Sequence, residues 1–84
     1  MSEMIDKGKL MLEEVALGYA RDHGLRPSAE WVNQGGDWML RLADAQHTVR
    51  LLFSPDEIVF FAELEGDDRA TKMKIRNAFA GLSM

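Results

Sequence analysis

WMLRLADAQHTVRLLFSPDEIVFFAEL, residues 38–64, is the stretch whose reading decides the fold. Apolar residues alternate along it, the period of a strand with one buried face. Two turn-like breaks divide it. Asp44-Ala45-Gln46-His47 separates a strand over 37–43 from a strand over 48–53, and Ser54-Pro55-Asp56-Glu57 follows the second. The last part reads two ways. Proline is favoured at the second position of a type I turn, and the β-branched and aromatic run Ile58-Val59-Phe60-Phe61 suits a fourth strand over 58–64. The same Ser-Pro-Asp-Glu is also a capping box with proline at the first helical position, which starts a helix running to Glu65. Propensity favours the strand, so a four-stranded meander is the expectation carried forward.

Working outward, Asn33-Gln34-Gly35-Gly36 reads as a turn, because glycine accepts positive φ. It joins a strand over 28–33 to the strand at 37–43. Closing the hairpins places Trp31 opposite Trp38, Leu42 opposite Val49, Leu40 opposite Leu51, Trp38 opposite Phe53 and Phe53 opposite Ile58. All of these fall on one face, whereas a slip of one residue would scatter them over two. Trp38, Leu40, Leu42, Val49, Leu51, Phe53, Ile58, Phe60 and Leu64 are the expected core.

Both flanks read as helices. Over 3–23, Met4, Met11, Val15 and Tyr19 recur at helical spacing, Ser2 is the expected N-cap, and Glu3 and Asp6 sit in the favourable first turns. His23, Gly24, Leu25 and Pro27 form the stop signal. Gly8 and Gly18 interrupt the pattern at about 1 kcal/mol each and are expected to mark close approaches of the helix to the sheet. Over 67–82, Asp67 or Asp68 caps a helix with the stripe Thr71, Ile75, Ala78, Phe79 and Leu82, and Met73 to one side. The expected fold is therefore α+β, a single domain over 1–84 in the order αββββα, with an antiparallel meander and both helices on one face.

Composition narrows the function. The chain has 84 residues, 46% hydrophobic and 29% charged, as in an ordinary folded domain. So small a core often gains from oligomerisation. Without cysteine, no disulfide or thiolate metal site is available, which fits a cytoplasmic location. The acidic start MSEMIDKGKLMLEE does not read as a signal peptide, and no run reaches membrane-spanning length. A net charge of -4 argues against broad binding to nucleic acid or anionic membranes.

No catalytic constellation stands out, and an enzyme is not expected. His23 and His47 lack a third ligand and a pocket, and each has a plainer place at a helix end or in a turn. Glu63, Glu65, Asp67 and Asp68 supply oxygens around Gly66, but without an EF-hand spacing, and acids before a helix serve as caps. No cofactor or metal is expected. Arg69, Lys72 and Arg76 share a face of the last helix that could meet phosphates. The element order is similar to that of the double-stranded RNA-binding domain. That family has lysines at the start of its last helix, where this chain has Asp67-Asp68. The order and acidity also resemble the first part of type III secretion chaperones, small acidic dimers that hold effectors extended, which implies an effector binder.

The second sheet face is the main candidate. It carries Val32, Met39, Arg41, Arg50, Leu52, Val59 and Phe61, with Glu30, Thr48 and Glu63 beside them. Arginine beside apolar and aromatic side chains is interface composition, and a solvated face should be more polar. The competing expectation is that one helix covers each face. The chain is thus read as a non-catalytic protein-binding module that self-associates or docks a protein partner. Nucleic acid, membrane and small molecules are not the expected partners.

Overall fold

The computed structural model describes residues 3–81. Helix α1 (Glu3–Asp22) leads into strands β1 (Ser28–Gln34), β2 (Asp37–Ala43) and β3 (Thr48–Phe53), then helices α2 (Pro55–Glu63) and α3 (Arg69–Ala80). The sheet is antiparallel in the order β1-β2-β3. The fold is α+β as expected, but the fourth strand is a helix. The expected caps or stripe positions Ser2 and Leu82 lie outside the described residues.

The capping box decides α2. The Ser54 hydroxyl accepts from the Glu57 backbone N–H at 3.1 Å, and the Glu57 carboxylate accepts from the Ser54 N–H at 2.9 Å. Two orphan donors of the first turn are met reciprocally, and Pro55 presets φ. Burial then follows the helical period, with Ile58, Phe61 and Ala62 inside. Strand alternation would have buried Phe60 and Leu64, yet Phe60 is 52% exposed and Leu64 38%. Glu65 at φ 53 and Gly66 at φ 82 reverse the chain. The Gly66 N–H reaches the Phe61 carbonyl at 2.9 Å and the Glu65 N–H the Ala62 carbonyl at 3.0 Å, a Schellman ending.

The other ends follow the expected chemistry. Gly24 takes φ 76 after α1, and the Leu25 N–H closes onto the Ala20 carbonyl at 2.8 Å. Asp68 caps α3, accepting from the Thr71 N–H at 3.2 Å and the Thr71 hydroxyl at 2.8 Å. Gly8 does mark a close approach, but to α2 rather than to the sheet. A Cβ built there would lie 2.3 Å from the Ile58 carbonyl oxygen. A Cβ built at Gly18 would meet no tertiary neighbour closer than Arg21 Nη2 at 4.0 Å.

β2 and β3 pair as expected, with Trp38 opposite Phe53, Leu40 opposite Leu51 and Leu42 opposite Val49. β1 sits two residues from the expected register. Trp31 faces Leu40 and Asn33 faces Trp38. The turn is the two-residue Gly35-Gly36, with φ 63 and 99. These angles match the favoured hairpin turn, which closes more tightly than a four-residue loop. An even shift leaves every side chain on its face.

All three helices cover that one face. Leu12, Ala16 and Ala20 of α1, Ile58 and Phe61 of α2, and Ile75 and Phe79 of α3 form one core with Leu40, Leu42, Val49, Leu51 and Phe53. α1 also grips the two tryptophans by polar contacts. The Trp31 indole N–H donates to Glu13 at 3.1 Å, and Lys9 Nζ lies 3.1 Å from the Trp38 ring centroid. α3 ties down the outer edge of β3. Lys74 Nζ donates to the Leu52 carbonyl and to Glu57 at 3.2 Å, and sits 4.5 Å from the Phe53 ring centroid.

Candidate functional site

The face of the sheet turned away from the helices is built in rows by the register. Val32, Met39 and Leu52 stand side by side across β1, β2 and β3. Next to them, Glu30, Arg41 and Arg50 form a charged row. Beyond that, Ser28, Ala43 and Thr48 form a row of small side chains. No described helix packs on these rows. Leu52 is 47% exposed, while Val32 and Met39 are half-buried, shielded by their neighbours in the row.

Electrostatics set the charged row apart. Arg41 stands directly opposite Arg50, a pairing of like charges that is unfavourable by itself. Glu30 relieves half of it, its Oε1 lying 3.2 Å from Arg41 Nη1. Arg50 is exposed and has no ion pair among the described residues.

Of the expected partner-binding residues, Val32, Met39, Arg41, Arg50 and Leu52 come together on this face. Val59 and Phe61 do not, because α2 is a helix. Val59 lies half-buried on α2, and Phe61 is fully buried in the core. Phe60 and Leu64 are instead exposed one helical turn apart, a separate apolar pair at α2. The signal that would have found them is the capping box followed by helical spacing.

The remaining candidates have local roles. The His23 ring stacks on Phe79 with centroids 6.1 Å apart. His47 closes the β2–β3 loop with Asp44, whose Oδ1 accepts from the Gln46 and His47 N–H groups at 2.8 and 2.6 Å. Asp68 caps α3, and among the described residues no group of three or more His, Asp or Glu is placed to hold a metal ion. Arg69, Lys72 and Arg76 border a groove with Tyr19, Asp67 and Met73. Lys72 also borders a second groove with Glu14 and Asp22, so acids interrupt the basic run. No described helix is long and apolar enough to cross a membrane.

The Asp44 loop carries a pH prediction. Hydrogen bonds from the Gln46 N–H and then the His47 N–H hold the Asp44 carboxyl below its ordinary 3.8. A carboxyl depressed in the folded state stabilises the fold above the unfolded value and loses that contribution as pH falls through the folded one. The Gln46 and His47 amide resonances are therefore expected to titrate with a midpoint below 3.8. Asp44→Asn should abolish that titration, which NMR will show. A midpoint at or above the ordinary value would contradict the loop geometry.

Comparison with protein-family models, curated proteins and solved structures finds no match to this chain.

Proposed function

We propose that the chain is a non-catalytic protein-binding module whose working surface is the open sheet face. One observation carries this reading. Every described helix lies on the other side, leaving the Val32–Met39–Leu52 row uncovered by any of them, with Leu52 47% exposed. A contiguous apolar row rimmed by arginine and glutamate is the composition of an interface, and its charges give orientation more than affinity. Strands held by hydrogen bonds on a packed core present such a row rigidly, so little ordering entropy opposes docking.

The test is Leu52→Asp, with Met39→Asp as its companion. Leu52 is exposed and Met39 half-buried, and neither belongs to the core, so circular dichroism and thermal unfolding should stay close to wild type. Self-association, followed by sedimentation, or capture of another protein should weaken by about tenfold or more. If the wild-type protein and both variants behave alike in self-association and in partner capture, the reading is wrong.

A further inference from the structure

We infer that the occupant of this face is a second copy of the chain, laid on it by a two-fold axis running along β2. The inference rests on the open sheet face being a protein-binding surface, and it adds the partner and its orientation. It follows from the order of the rows.

A two-fold parallel to the strands, lying between the two faces above β2, sets each row on itself in reverse. β1 of one copy then lies over β3 of the other. Val32 meets Leu52 of the second copy, Met39 meets Met39, and Leu52 meets Val32, so the apolar row is buried against itself. In the charged row, Glu30 meets Arg50 of the second copy, and symmetry makes that contact twice. Glu30 uses Oε1 for Arg41 of its own chain, which leaves Oε2 for the incoming guanidinium. The unpaired cation of each copy thus faces the carboxylate of the other. Arg41 falls on the axis opposite its own copy, its charge already countered by Glu30. Ser28, Ala43 and Thr48 also fall on one another, small enough for the sheets to close.

Face-to-face sheets pack about 10 Å apart with strands crossing near 30°, which displaces the outer pairs by only ~3 Å. Arginine and glutamate side chains span that shift. The rival two-fold, perpendicular to the strands and centred on the apolar row, would pair Arg41 with Asp37 but leave Arg50 opposite Ser54. Only the axis along the strands gives Arg50 an anion.

Size sets the expected strength. Three strands of six or seven residues cover a footprint of roughly 300 Å² per copy, about 600 Å² in total, which is below the ~1,200 Å² of a standard specific interface. The dimer is expected to be weak, so sedimentation and native mass spectrometry should cover about 10 µM to 1 mM. Glu30→Arg would bring two arginines together at each end of the interface, and Arg50→Glu two glutamates. Each variant alone is expected to dimerise at least tenfold more weakly than the wild type. An equimolar mixture of the two should recover dimers, and these should be heterodimers, since every Arg at position 30 or 50 then faces a Glu. The double variant Glu30→Arg/Arg50→Glu should dimerise like the wild type. Recovery also shows that both single variants are folded.

Four results would overturn the inference. The wild type could stay monomeric throughout the range. Single and mixed variants could associate alike while Leu52→Asp blocks association, which rejects the axis and leaves the face as the binding surface. Or assemblies larger than two could form and be lost on Phe60→Asp, meaning that α2 of one copy sits on the sheet of the next. If dimers survive Leu52→Asp, both the pairing and the face are wrong.

Discussion

Alanine at Gly8 is expected to destabilise the protein by about 2–3 kcal/mol, although alanine is the better helix former by ~1 kcal/mol. The added Cβ would lie 2.3 Å from the Ile58 carbonyl oxygen and 2.6 Å from Ile58 Cγ2. The nearest atom belongs to the backbone of α2 and cannot rotate aside. The two helices must separate, which loosens Leu12 and Ile58, both fully buried. A domain of this size has only about 4–12 kcal/mol in total, so the loss is large. Gly18→Ala, ten residues along the same helix, should move the other way by about 0.5–1 kcal/mol, because nothing stands within contact of its new methyl. Urea midpoints displaced in opposite directions at unchanged slope would bear this out. A higher midpoint for Gly8→Ala would mean that α1 and α2 do not pack so closely.

Phe61→Asp should leave the chain unfolded at room temperature, while Phe60→Asp one residue earlier should change stability by no more than about 0.5 kcal/mol. Phe61 is fully buried and Phe60 is 52% exposed. Removing a buried phenylalanine side chain costs about 3–5 kcal/mol, and a carboxylate left there without a partner adds to the loss. In a fourth strand the roles would be exchanged, with residue 60 inside and 61 outside. Far-UV circular dichroism of the two variants therefore separates helix from strand for residues 55–63. Equal tolerance of both would fit neither.

These two cases mark where the chain is legible and where it is not. The hairpins could be read because a period of two, checked against two turns, admits one sharing of faces. Even a two-residue error at Gly35-Gly36 left Trp31 on the side of Leu40. Residues 58–61 misled because propensity and capping pointed apart. IVFF suits a strand, but propensity is worth tenths of a kcal/mol per residue, whereas the paired bonds of Ser54 and Glu57 satisfy two orphan donors together. Val59 and Phe61 were lost from the candidate face by that one error, and five of its residues were kept because they lie on β1 to β3. Gly8 was visible as an oddity, but its neighbour in α2 was not, since helix-on-helix contact has no local period. That all helices share one side depends on the same tertiary layering, so the openness of the second face could only be seen in three dimensions.

The Lys74 contact bears on how this sheet could grow. β3 is an edge strand, and its Leu52 carbonyl is already occupied by an ammonium that is also held by Glu57 and by the Phe53 ring. An incoming strand needs that acceptor, and a lysine on an edge is one of the devices that discourage such pairing. Edge-to-edge growth of a fibre requires both borders of each unit to accept a neighbour. With β3 closed in this way, addition at β1 ends after a single step. The lysine thus acts as a chain terminator, keeping a protein with one bare sheet face from propagating through its strands.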